Sequence, residues 1–192
     1  MRDDVEISSH TVLAEAWGKL TQWRFALRRR SGAWQDQVRE VYDRGDGAAL
    51  LLINRDQGTV ILTRQFRFPS YYNDEAGALI EVCAGKLDGD DPATCAKKEA
   101  EEETGYRIGE VRLAYPSVYM SPGSVTERLW LFVGHYDAGS KVSNGGGHEA
   151  EGEDIEVLEI PFAEAMRMVS SGEIRDAKTV LLLQYAALNQ LL

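Results

Sequence analysis

From its start to about Arg44 the chain alternates apolar and polar residues in short runs. Thr11-Val12-Leu13 and Leu20 to Leu27 read as strands, Arg28-Arg29-Arg30-Ser31-Gly32 as a turn, and Trp34 to Tyr42 as the returning strand. A sheet this small is not stable alone, so it is expected to pack on the main domain or on a second subunit. From Gly47 the pattern changes. Ala48 to Ile53 is a continuous apolar run, the mark of a buried strand. Asn54 to Gly58 is a turn, Thr59 to Arg67 the next strand, Pro69 to Gly77 a loop, and Ala78 to Cys83 a further strand. Val111 to Tyr119, Leu129 to His135 and Ile155 to Ile160 also read as strands. Ser140 to Gly152, rich in Gly, Ser and acidic residues, reads as a mobile loop. A short helix runs from Pro161-Phe162 to about Ser170, and a last one starts at Asp176 or Ala177. Strands interleaved with helices predict an α/β sandwich around a mixed sheet.

One stretch, Gly85 to Tyr106, carries chemistry. Asp91 suits the cap of a helix, Pro92 its first position, and Gly105 a left-handed stop. The helix between them ends on Glu99, Glu101, Glu102 and Glu103. Carboxylates there meet the negative end of the helix dipole and each other, at a cost of a few tenths of a kcal/mol to about 1 kcal/mol each. A cation would offset that cost. Glu99 and Glu103 stand one turn apart on one face, with Glu102 alongside. Oxygen ligands grouped this way suit Mg²⁺, which also recruits phosphates. An acidic run taken alone is more often a solvated helix face; the flanking residues tip the reading towards a site.

Composition narrows the classes. The 192 residues suit one domain, or one with a small appendage. At 44% hydrophobic the chain has enough apolar residues for a packed core. Lys plus Arg is 21 against 31 Asp plus Glu, a net charge of −10, which excludes the electrostatic footprint of a nucleic-acid binder. The two cysteines, Cys83 and Cys95, make neither a disulfide framework nor a zinc site, and are expected as reduced, packed thiols. The first residues lack an apolar signal segment and no apolar run reaches membrane-span length, so a cytoplasmic protein with no membrane partner is expected. His10, His135 and His148 are expected to stand outside the chemistry, His148 being a weak metal-ligand candidate.

The stretch Gly85 to Tyr106 resembles the signature box of the Nudix hydrolases. Gly85, Glu99, Ala100, Glu102, Glu103, Gly105 and Tyr106 fit that pattern. Asp91 stands in place of its first Glu, one residue nearer the basic position than usual, and Lys98 replaces Arg. Arg39 to Gly45, Arg64 to Arg67, Met120 to Gly123 and Gly172 to Asp176 look like segments shared by Nudix enzymes that cleave nucleoside diphosphate sugars. Glu81 to Gly85 and Lys178 to Leu183 are more similar still to the bacterial branch that acts on GDP-mannose. The resemblance spans nearly the whole chain.

It implies a Nudix α/β/α sandwich with a mixed sheet over residues 45–192, and a small N-terminal antiparallel β-sheet subdomain over residues 1–44 that serves dimerisation and substrate contact. It implies Mg²⁺-dependent hydrolysis of a pyrophosphate bond, with Mn²⁺ a possible substitute. The substrate would be a nucleoside diphosphate sugar, GDP-mannose before ADP-ribose or another ADP-sugar. Metal ligands would be Glu99, Glu103, the backbone carbonyl of Ala84, and a loop carboxylate matching Glu153, with Glu149 and Glu151 as alternatives. Glu102, Glu103 and Glu153 would be catalytic, and Gly145-Gly146-Gly147 would let the loop swing over substrate. Substrate would meet Trp17, Arg39, Glu40, Arg67, Ala84, Gly85, Glu127 and Lys178. Competing roles are core packing for Trp17, a strand-end salt bridge for Arg67 and an exposed helix position for Lys178. The implied assembly is a homodimer. A catalytically inactive nucleotide-binding module is the other class, and the retained Glu99, Glu102 and Glu103 speak against it.

Overall fold

The computed structural model describes residues 2–74 and 77–192. The chain divides into two units: the part up to Asp46 together with Tyr119–Arg128, and Gly47–Val118 together with Leu129–Leu192.

In the first unit the alternating runs form β1 (Val5–Glu15), β2 (Lys19–Arg28) and β3 (Trp34–Asp43), paired antiparallel in that order. β1 is longer than the run Thr11 to Leu13 predicts. Its pairing with β2 continues through two register shifts, after Ile7 and after Val12, which interrupt the alternation. Trp23 lies opposite His10 on one side and Arg39 on the other, and its ring stacks on His10 at 4.6 Å. Thr21 is the one buried residue among the described positions of these strands, and β1 is exposed along its whole length. The sheet therefore has no core of its own. At its end, Tyr42 donates its N–H to the Ser124 carbonyl (2.8 Å) and accepts the Thr126 N–H (3.0 Å), which ties the 119–128 segment to β3.

The second unit holds β4 (Gly47–Asn54), β5 (Thr59–Phe66), β6 (Ala78–Glu81), β7 (Cys83–Lys86), β8 (Val111–Tyr119), β9 (Arg128–His135) and β10 (Ile155–Pro161), apart from the end residues Tyr119 and Arg128, which fall in the first. Its helices are α1 (Phe68–Asp74), α2 (Pro92–Glu99), α3 (Phe162–Ser171) and α4 (Ala177–Leu188). The sheet order is β10-β5-β4-β9-β8, with β6 paired to β5 and β7 to β4. β4 is parallel to β9 and antiparallel to β5 and β7, so the sheet is mixed as expected. Every residue of β4 is buried. Ala48, Leu50 and Leu52 pack with Cys95, Ala96 and Ala100 in one cluster. Ala49, Leu51 and Ile53 point the opposite way, and α4 also packs on β4. Cys83 and Cys95 are free and buried, and the Cys83 thiol donates to the Leu50 carbonyl at 3.2 Å. Among the described residues no helix is long and apolar enough to cross a membrane.

Three local expectations need correction. Pro69 to Gly77 is not all loop. Phe68–Asp74 is helical, started where the Tyr71 N–H reaches the Arg67 carbonyl (3.1 Å). Pro69 fits a first helical turn, where it lacks no needed N–H. Glu75 and Ala76 of that stretch lie outside the described residues. The strand Ala78 to Cys83 is two strands. It breaks at Val82, whose N–H leaves the sheet to donate to Thr179 Oγ1 (2.8 Å), so β6 serves β5 and β7 serves β4. The stretch Ser140 to Gly152 is pinned over its first half. Arg107 donates its N–H to the Ser140 carbonyl (2.8 Å), Val142 to Gly105 (2.8 Å), Gly146 to Glu103 (2.9 Å) and Gly147 to Glu102 (3.2 Å).

Candidate active site

Asp91 caps α2, accepting the N–H groups of Ala93 (3.0 Å) and Thr94 (3.3 Å). After Glu99 the helix widens into a π turn, Ala100–Thr104, and stops at Gly105 with φ 79°. Such wide single turns recur at functional sites. Here the turn leaves Glu102 exposed and buries Glu103 together with Ala100 and Thr104. Gly105 and Gly145 make close backbone contact possible. A side chain at Gly105 would collide with the Ser143 carbonyl, and one at Gly145 with the Glu103 carbonyl. The glycines of the loop thus fix its root to the turn, where a hinge was expected.

Against this turn the structure gathers Glu99, Glu102, Glu103 and Glu153. A Cβ at Gly85 would fall inside the Glu99 carboxylate, so the bare backbone of Gly85, next to Ala84, cradles that group. Glu153 Oε2 accepts the His148 N–H (2.9 Å), and His148 Nε2 lies 3.4 Å from Glu102 Oε2. Burial pushes the Glu99 carboxyl up to about 7, and the charges of Glu102, Glu153 and Glu151 push the same way. Burial pushes Glu103 up to about 8, reinforced by Glu99 and Glu153 and opposed by Arg67. Glu153 thus bears on both acids. No group of three acidic, histidine or cysteine side chains among the described residues already stands in metal-ligating geometry. The donor chemistry nonetheless fits a divalent cation: all oxygen, anionic, mutually repelling, and next to a cradle kept open by Gly85.

A second cluster lies in the same unit. Arg67 donates through Nε to Glu81 Oε1 (2.8 Å) and through Nη2 to Oε2 (3.2 Å). Lys178 Nζ donates to Glu81 Oε2 and to Asp176 Oδ1 (2.9 Å). Asp176 caps α4 by accepting the Thr179 N–H (3.0 Å) and hydroxyl (2.6 Å). Arg67 is thus in a strand-end salt bridge, and its side chain is still partly exposed; Lys178 is almost buried and is no free helix lysine. Burial opposes the charge of Glu81, but Lys178 and Arg67 outweigh it and bring the carboxyl down to about 2. The sequence reading does not place Glu81 or Asp176 beside Arg67 and Lys178. The readable signal was Glu81 inside the apolar run Leu79 to Cys83, since a carboxylate there needs partners.

In the first unit Trp17 is 65% exposed, which rules out core packing within this chain. The Arg44 guanidinium lies 4.8 Å over its ring and Arg44 Nε lies 3.4 Å from Glu127 Oε1, so one cation joins two of the expected substrate contacts. Arg39 is exposed and donates to its neighbour's carbonyl at Val38 (2.7 Å). Glu40 is exposed opposite Gln22.

The fold is shared with a solved structure described as an ADP compounds hydrolase: TM-score 0.72, 16% identity, covering 98% of this chain and 96% of that one. It is a Nudix-like α/β fold. A model of the NUDIX domain matches residues 43–183, and a model described as the GDP-mannose pyrophosphatase NudK N-terminal domain matches residues 4–42. The chain is 51% identical over 187 residues to the GDP-mannose pyrophosphatase of Pectobacterium atrosepticum, covering 97% of this chain and 95% of that protein. It is 48% identical to the enzyme of that name from Salmonella arizonae and 46% to one from Escherichia coli, each over 193 residues and 100% of both chains. The chain belongs to the NUDIX family, whose hydrolases generally need divalent metal ions.

Proposed function

We propose that this protein hydrolyses the pyrophosphate bond of GDP-mannose, releasing GMP and mannose 1-phosphate. The observation that carries the reading is the crowding of four carboxylates, Glu99, Glu102, Glu103 and Glu153, around the π turn and the Gly85 cradle. Glu99, Glu103, Glu153 and the Ala84 carbonyl would hold the cation, Mg²⁺ in this reading with Mn²⁺ able to replace it. A cation held there would supply charge neutralisation for the diphosphate, polarisation of a phosphoryl oxygen and a lowered pKa for the attacking water. Glu153, on the loop pinned to Glu102 and Glu103, accepts the proton that water loses. Glu102, whose Oε2 lies 3.4 Å from His148 Nε2 in that loop, joins Glu103 and Glu153 as a catalytic carboxylate. Arg67 and Lys178 grip the diphosphate, and the backbone of Ala84 and Gly85 lies against it. Trp17, Arg39, Glu40 and Glu127 meet the nucleotide.

Residues 1–44 serve as the subdomain for dimerisation and substrate contact, in a cytoplasmic homodimer. The fully exposed β1, with Ile7, Val12 and Leu13 among its exposed apolar residues, supports a partner on that sheet. The substrate reading is tested by a panel of GDP-mannose, GDP-glucose, ADP-ribose, ADP-glucose and NADH with Mg²⁺. GDP-mannose is expected to be turned over best; a clear preference for ADP-ribose overturns that choice. No turnover of any member, with or without Mn²⁺, overturns the enzyme reading in favour of a binding module.

A further inference from the structure

We propose that Glu81 is a positioning residue for this reaction: its carboxylate holds the Arg67 guanidinium and the Lys178 ammonium as one fixed pair aimed at the substrate diphosphate. The inference rests on the function proposed above and adds a residue to it. Three observations carry it. Glu81 is 3% exposed and sits between the two cations, with an oxygen on each and a second bond to Arg67. Its grip uses the Nε and Nη2 side of the guanidinium and leaves Nη1 without a protein acceptor among the described residues. Lys178 spends two of its three donors on Glu81 and Asp176 and keeps one. Both cations therefore retain donors for an anion while losing the freedom to wander.

The same cluster reaches the start of the box. Asp176 accepts a hydrogen bond from the Thr179 hydroxyl, and Thr179 Oγ1 accepts one from the Val82 N–H, one residue past Glu81 and two before Ala84. Two carboxylates against two cations leave the cluster neutral, so its work is geometric: it sets where the cations stand. Fixed placement of binding groups is worth large factors in rate, and a shift of about 1 Å costs about 100-fold.

The test is a mutant cycle read in steady-state GDP-mannose hydrolysis with Mg²⁺. Glu81→Gln keeps the shape and removes the hold. Its kcat/KM is expected to fall at least about 10-fold in the wild-type background, and less than about 2-fold further in an Arg67→Ala/Lys178→Ala background. Glu81→Asp keeps the charge but is too short to reach both cations, and is expected to give the same pattern; it stands in if the Gln variant fails to fold. Equal losses in both backgrounds, or wild-type kinetics in both variants, overturn the positioning role. A wild-type enzyme inert on the whole substrate panel is a failure of the function reading, and is visible before any variant is made.

Discussion

Glu81 and Glu103 are both 3% exposed, yet their surroundings are opposite. Glu81 lies between Lys178 and Arg67 and is held at about 2. Glu103 faces Glu99 and Glu153, with Arg67 opposing only in part, and is pushed up to about 8. A buried carboxylate with cations in contact is a finished structural device. One crowded by its own kind is a site waiting for a cation from outside. In the function proposed above, the contrast separates a carboxylate that positions cations of the chain from one that would bind a metal ion.

The largest effect is expected at the unfinished acid. Glu103→Gln should lower kcat at least about 100-fold, the scale of losing one transition-state stabiliser. Turnover near normal would remove Glu103 from the reaction. Next comes the finished acid. Its depressed pKa contributes stability that is complete above the ordinary carboxylate range and is lost as pH falls from about 4.5 towards about 2. That contribution is on the order of 3 kcal/mol. Denaturant titrations should show wild type losing it over that window and Glu81→Gln lacking it at neutral pH. A Gln variant as stable as wild type at pH 7 breaks the comparison.

The third effect is smaller and opposite in sign. In chelator, Glu103→Gln should raise the unfolding midpoint by an amount equal to about 1 kcal/mol or more, because it removes an uncompensated buried charge. The raised pKa sets the window: the cost is absent below about 4.5 and grows as pH rises to about 8. Differential scanning calorimetry across that range reads it, and Mg²⁺ should narrow the gap by stabilising wild type alone. Smallest is the exposed pair Arg64–Glu156 at 2.7 Å. Glu156→Gln should leave the midpoint unmoved; a clear drop would show that exposure is not what separates the working charges from the idle ones.

Much of this was legible in the chain because it is local. The apolar run Ala48 to Ile53 is β4, and Asp91, Pro92 and Gly105 bound the acidic helix as their cap chemistry predicts. The α/β character and the crowding of Glu99, Glu102 and Glu103 follow from the same short-range rules. What stayed hidden depends on distant partners. The break at Val82 comes from a hydroxyl on Thr179, and Lys178 meets Glu81 across the same span of chain. Phe68–Asp74 carries a proline and a polar end, which resemble a loop until the Tyr71 N–H finds its carbonyl. The glycines at 145–147 suggested freedom, since composition does not say whether glycine is used for motion or for close approach.

That close approach has an evolutionary consequence. The root of the loop is bolted main chain to main chain, by Gly146 onto Glu103 and Gly147 onto Glu102. Its outer bend, residues 149–152, is exposed, and among the described residues no backbone bond to the turn begins there. Descendants of this gene that add or drop residues at that bend would keep this root, but Glu153 follows the bend at once and keeps its station only while its N–H still reaches the His148 carbonyl (3.2 Å), so the bend's length is answerable to the residue after it.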